Sequence, residues 1–163
     1  MTTLLPLKAA DFDDFRSSAS ASYAEQNVAA GRWPAQDAQA MAESEMRQML
    51  PDAQQTPGHF VFAIGAEGMR QPVGYLWYAT AMRGSAKVAY VYQVLVKPAF
   101  QRQGHARAAL IQAERHALAG GHDSMALNVF VQNTGAQALY RSLGYGVTNM
   151  NMAKALVTPP LAV

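Results

Sequence analysis

The 163-residue sequence predicts one α/β domain, and three observations carry that reading. Residues 59–66, 73–82 and 88–96 are strand-length runs separated by turn residues, the pattern of an antiparallel meander. Residues 88–131 then read strand, loop, helix, strand, an order that makes a parallel pair when both strands share a sheet. Half of the residues are hydrophobic and 15% are charged, a globular composition with enough chain for a real core. A mixed, mostly antiparallel sheet covered by about four helices is therefore expected.

Taken in order, residues 4–7 are a short apolar edge strand. Residues 11–30 form a helix with Phe12, Phe15, Ala19, Tyr23 and Val28 along one face, stopped by Gly31. A second helix starts at Pro34, which suits a first turn, and carries Ala38, Met41, Ala42, Glu45 and Met49 at helical spacing. Residues 51–58 are a loop. In the strand 59–66, Phe60, Phe62 and Ile64 face one way and Val61 and Ala63 the other. The helix 104–119 sets Ala106, Ala109, Leu110, Ala113 and Ala117 on one side, small enough for close packing on a sheet, and ends at Gly120-Gly121. A strand follows at 125–131. Asn133 caps the next helix, whose stripe is Ala136, Leu139, Tyr140 and Leu143 and whose stop is Gly144. Residues 145–156 read as a final strand and 157–163 as a loose tail.

Composition narrows the function classes. The net charge is +2, but no basic run exists, so no nucleic-acid partner is indicated. The absence of cysteine excludes disulfides, thiolate metal sites and a cysteine nucleophile. His59, His105, His116 and His122 show no ligand spacing, and no metal is predicted. Neither a signal-peptide pattern nor an apolar run of about 18 residues is present. A cytoplasmic protein with no membrane partner is expected.

The chemistry concentrates in residues 94–106. Pro98 ends the strand, six polar or small residues follow from Gln101 to Ala106, and the helical pattern starts among them at Gly104. The first turn of a helix offers unpaired N–H groups and partial positive charge, which favour a phosphate. Gly104 removes a Cβ that would hold a ligand off the backbone, and Arg102 and Arg107 add charge. Read alone, the same residues also suit an ordinary strand-to-helix turn.

Two motifs decide between these. Gln101-x-x-Gly104-x-Ala106 resembles the acyl-CoA pyrophosphate signature of the GCN5-related N-acetyltransferase (GNAT) family. About 30 residues later, Asn133-x-x-Ala136-x-x-Leu139-Tyr140-x-x-x-Gly144-Tyr145 is similar to that family's second pattern. Tyr23-Ala24-Glu25, Gly31-x-Trp33 and Thr56-Pro57-x-His59 resemble bacterial acetyltransferases of unassigned substrate. The resemblance implies the GNAT fold, a six- to seven-stranded sheet whose fourth and fifth strands splay apart.

It also implies transfer of acetyl from acetyl-CoA to a primary amine, on a small molecule or a peptide. The alternative is a non-catalytic acyl-CoA-binding sensor or regulatory module. A homodimer stays open. Val94, Leu95 and Val96 would take the pantetheine arm as a pseudo-strand. The backbone of Gln101, Arg102, Gln103, Gly104, His105 and Ala106 would hold the pyrophosphate, with the His105 side chain at the surface. Asn133, beside its cap role, and Ala136 would line the arm. Tyr140, otherwise a core tyrosine, would act as general acid on the leaving thiolate. The family's strand-four carboxylate is missing: Tyr92 and Gln93 stand there. Glu25 is then the candidate base, against a surface role, with His59, Glu45 and water as rivals.

Overall fold

The computed structural model describes residues 1–154 and 156. The chain runs β1 (Thr2–Pro6), α1 (Phe12–Ala29), α2 (Ala38–Met49), β2 (His59–Ala66), β3 (Gly74–Arg83), β4 (Ala86–Val96), α3 (His105–Ala119), β5 (Ser124–Leu127) and α4 (Thr134–Ser142). The five strands form one sheet in the order β1-β2-β3-β4-β5, antiparallel through β4, with β5 parallel to β4.

Period-two alternation splits the core into two layers. On one face Phe62, Ile64, Leu76, Tyr78, Ala89 and Val91 pack against Ala109, Leu110, Ala113 and Ala117 of α3. On the other, Val61, Ala63, Tyr75 and Trp77 pack against Phe15 and Ala19 of α1 and Met46 and Leu50. The alanines of α3 bring its backbone close to the sheet, as their small size requires. Gly74 is a close-approach position: a Cβ there would lie 2.1 Å from the Leu95 carbonyl oxygen.

Several expectations are corrected. The sheet has five strands among the described residues, not six or seven, because residues 145–154 and 156 form no strand. Gly146, Asn149 and Asn151 are poor strand formers, and β5 is only four residues long. Residue 155 of that expected strand, and the expected tail 157–163, lie outside the described residues. The strand expected over 125–131 stops at Leu127. The second helix begins at Ala38, since Ala38 N–H closes a turn onto the Pro34 carbonyl. Its buried stripe is Ala38, Ala42 and Met46, spaced by four, while Met41 is exposed. No helix among the described residues is long and apolar enough to cross a membrane.

Candidate active site

The site starts with a register slip. Trp77 of β3 opposes Gln93 and Tyr78 opposes Val91, so Tyr92 has no partner. It is a β-bulge, which bends and twists its strand. On the other edge of β4, pairing with β5 covers only Val88–Val91, opposite Ser124–Leu127. The pairing of the two strands therefore ends at the bulge, and β4 continues to Val96 with no strand on that edge among the described residues.

Which groups face that opening follows from the ladder. Lys97 N–H donates to the Val73 carbonyl on the β3 side, at 2.8 Å. Backbone direction alternates along an antiparallel pair, so Leu95 and Gln93 also turn to β3, while Val94 and Val96 turn their N–H and C=O to the opening. Accordingly, the Val96 carbonyl accepts from Gln101 Nε2 at 3.0 Å. Of the three residues expected along the arm, Val94 and Val96 present backbone there. Leu95 packs its side chain on the α1/α2 face.

At the far end lies the loop before α3. Arg102 and Gly104 are both left-handed, with φ 60° and 83°. Left-handed residues interleaved in a turn gather N–H groups into an anion-binding concavity, and α3 adds a fifteen-residue helix start to it. A Cβ on Gly104 would meet no atom within 4 Å, so the glycine serves its left-handed backbone angle rather than relieving a crowded contact. Arg102 is exposed. Arg107 Nη1 donates to Ser142 Oγ at 2.7 Å, tying α3 to α4. His105 is half-buried and shares a hydrogen bond with Thr2 Oγ1, 2.9 Å. Gln103 is tied by its Nε2 to the Ala99 carbonyl. A mainly anionic, extended ligand with amides in its middle fits this combination of bare strand edge and N–H concavity.

The other wall is α4. Asn133 caps it, its Oδ1 accepting from Ala136 N–H at 3.1 Å. No residue of α4 is fully buried, although Leu139, Tyr140 and Leu143 pack against the α3-side core. Burial pushes the Tyr140 phenol above its ordinary value, so it stays protonated through neutral pH. Its ring lies 5.7 Å from that of Tyr145, whose hydroxyl donates to Glu114 Oε1 at 2.9 Å.

On the α1/α2 face the bulge carries an aromatic cluster. Tyr92 stacks on Trp77 at 4.7 Å and 23°, and His59 lies near-parallel to Tyr92 at 6.1 Å. Tyr90 meets Tyr92 edge-on at 5.1 Å. Trp77 Nε1 donates to His59 Nδ1 at 3.0 Å. That bond occupies the imidazole lone pair, so the proton of neutral His59 sits on Nε2. Burial also pushes its pKa down. His59 in this tautomer is thus a donor through Nε2, not a base. Glu25 is exposed on α1, four residues from its end. Glu45 is half-buried beside Tyr23, whose phenol is pushed up by burial first and by that carboxylate second. The Arg32 guanidinium sits 4.9 Å over the Phe130 ring, joining the segment after α1 to the segment after β5.

The bulge at Tyr92 was missed in the sequence reading, and a signal for it exists. The α3-facing residues of β4 run Ala89, Val91, then Val94 and Val96. The step of three between Val91 and Val94 marks an extra residue in a period-two strand.

Comparison with known proteins gives the family and the fold. The family model described as "Acetyltransferase (GNAT) family" matches residues 21–145. The uncharacterized N-acetyltransferase YdgE of Bacillus subtilis is 29% identical over 154 residues, covering 94% of this chain and 98% of that protein. The uncharacterized N-acetyltransferase YycN of the same organism is 28% identical, covering 96% and 100%. The YycN crystal structure superposes with a TM-score of 0.88 at 26% identity, over 97% of this chain and 100% of that one. The structure of AAC(6')-Iy in complex with a CoA-containing bisubstrate analog shares the fold, with a TM-score of 0.63 at 18% identity over 97% and 99% of the two chains.

Proposed function

Because the chain belongs to the acetyltransferase (GNAT) family, we propose that the opening between β4 and β5 binds acetyl-CoA and that the protein transfers its acetyl group to a primary amine. The observation that supports this most is the bulge at Tyr92 with pairing to β5 ending at Val91. Beside the N–H concavity at Arg102–Gly104, it leaves the Val94 N–H and C=O and the Val96 N–H without a strand partner among the described residues, while the Val96 carbonyl accepts from Gln101. In AAC(6')-Iy, a CoA complex exists on the same fold.

In this reading Val94 and Val96 pair with the amides of the pantetheine arm, and the backbone from Gln101 to Ala106 holds the pyrophosphate. Asn133 and Ala136 line the arm. When bound, acetyl-CoA supplies an activated thioester. The amine nitrogen forms the new N–C bond, the C–S bond breaks, one proton leaves nitrogen and one is taken up at sulfur. Tyr140 donates its phenolic proton, or a hydrogen bond, to that sulfur. A phenol near 10 and a thiol near 8.5 make full transfer uphill for the acid in solution, and the burial of Tyr140 adds to this, so its contribution is chiefly a hydrogen bond to developing charge. Proton removal from the amine is assigned to Glu25, with water reaching the exposed mouth as the competing route.

The test is release of CoA thiol from acetyl-CoA over a panel of primary amines, polyamines and peptides. Release dependent on at least one amine is expected. Tight acetyl-CoA binding with no release for any amine would make the protein a sensor instead. For the base, Glu25→Gln is expected to slow the reaction at least about tenfold. An unchanged rate transfers that role to water.

A further inference from the structure

We propose that Tyr92 selects the acceptor, and that the acceptor is a primary amine carrying an aromatic ring rather than a polycation; this rests on the acetyltransferase reading above. Tyr92 is the unpaired bulge residue and is 42% exposed, whereas the Trp77 ring against it is only 2% exposed. Its ring is held on one side by Trp77 and flanked edge-on by Tyr90. An exposed aromatic ring that is already immobilised by stacking is a preformed platform, and a second ring stacks on it with little loss of side-chain freedom. Its position also suits the reacting end of the opening, since Val94 is two residues further along β4.

Charge argues against a polycationic acceptor. The carboxylates whose partners are seen pair away from these rings: Asp13 with Arg16, Asp14 with Tyr75 and Lys97, Glu43 with Gln39 and Arg47, Glu67 with the N-terminal amine, Glu114 with Tyr145, and Asp123 with Lys87. Burial is the cause of the lowered His59 pKa. The rings of Trp77, Tyr90 and Tyr92 themselves carry no formal counter-charge for a second ammonium group.

Gln93, next to Tyr92, completes the argument. It is 8% exposed and makes no side-chain hydrogen bond among the described residues, yet its polar atoms are not sealed from solvent. Its side-chain carbonyl accepts an N–H from the incoming amine. A neutral acceptor and aromatic walls favour the neutral amine over the ammonium ion, which lessens the need for the carboxylate that Tyr92 and Gln93 replace.

The experiment measures CoA thiol release with 2-phenylethylamine, butylamine and spermidine, in wild type, Tyr92→Ala and Tyr92→Phe. Calorimetry of acetyl-CoA binding runs alongside. Wild type is expected to prefer 2-phenylethylamine over spermidine in kcat/KM by at least tenfold. Tyr92→Ala should raise KM for 2-phenylethylamine about tenfold, the loss of one stacked pair, with butylamine and acetyl-CoA affinity unchanged. Tyr92→Phe keeps the ring and should keep the wild-type KM. A preference for spermidine, or equal KM effects of Tyr92→Ala on 2-phenylethylamine and butylamine, overturns the inference while leaving the acetyltransferase reading intact. No release with any amine, despite acetyl-CoA binding, overturns both.

Discussion

Tyr140 is the residue whose two roles differ by one atom. Tyr140→Phe keeps the ring against the α3-side core and removes only the hydroxyl. A hydrogen bond to developing charge is worth about 1.5–3 kcal/mol, so kcat should fall roughly ten- to a hundredfold, with acetyl-CoA affinity within twofold of wild type. Turnover above half of wild type would return Tyr140 to a packing role. Arg102 offers a second test. Its φ of 60° costs an L-residue about 1 kcal/mol, and glycine adopts it freely at a comparable entropic cost. Arg102→Gly should therefore leave stability within about 1 kcal/mol while acetyl-CoA affinity drops and its salt dependence weakens. Retained affinity and salt slope would show that the N–H groups alone hold the anion. At this scale much was legible. Gly104 and Asn133 announce themselves because a left-handed angle and a helix cap each demand particular residue types. Tyr92 did not, since its role comes from losing a partner across the sheet and not from its own chemistry.

At the scale of elements, β4 carries the site and Gly74 fixes its outer half. A methyl at Gly74 would meet the Leu95 carbonyl oxygen at 2.1 Å and the Val96 Cα at 2.9 Å, backbone atoms that cannot rotate away. Gly74→Ala should push the end of β4 outward, cost about 1–3 kcal/mol and weaken acetyl-CoA binding, as seen by denaturant melts and calorimetry. Unchanged stability would mean the strand shifts freely. The limits of β2, β4 and α3 were readable because turn residues and proline bound them sharply. The end of β5 and the missing strand after α4 were not. Residues 128–131 and 145–154 alternate well enough to resemble strands, but a strand needs a partner edge, and β4 has bent away from that side by Tyr92.

For the whole molecule, the link between α1 and the end of β4 is ionic. Lys97 Nζ donates to Asp14 Oδ2 at 2.7 Å, and the Tyr75 hydroxyl donates to the same oxygen. Lys97, with Tyr75 second, holds the Asp14 carboxyl below its ordinary 3.8. A lowered carboxyl pKa stabilises the fold above the unfolded value and loses that contribution as pH falls from about 3.8 through the folded value. Asp14→Asn should flatten that part of the stability profile, and because the side chain is half exposed the effect at pH 7 should be under about 1 kcal/mol. An unchanged acid limb would remove Asp14 from the account. The central claim, that the bare edge of β4 and the loop before α3 receive acetyl-CoA, is tested most directly by amide hydrogen exchange, read by NMR with and without saturating acetyl-CoA. The amides of Val94 and Val96, and those from Gln103 to Ala106, should slow strongly, while those of Gln93 and Leu95, already facing β3, should change little. Unaltered exchange at Val94 and Val96 in the saturated protein would contradict it.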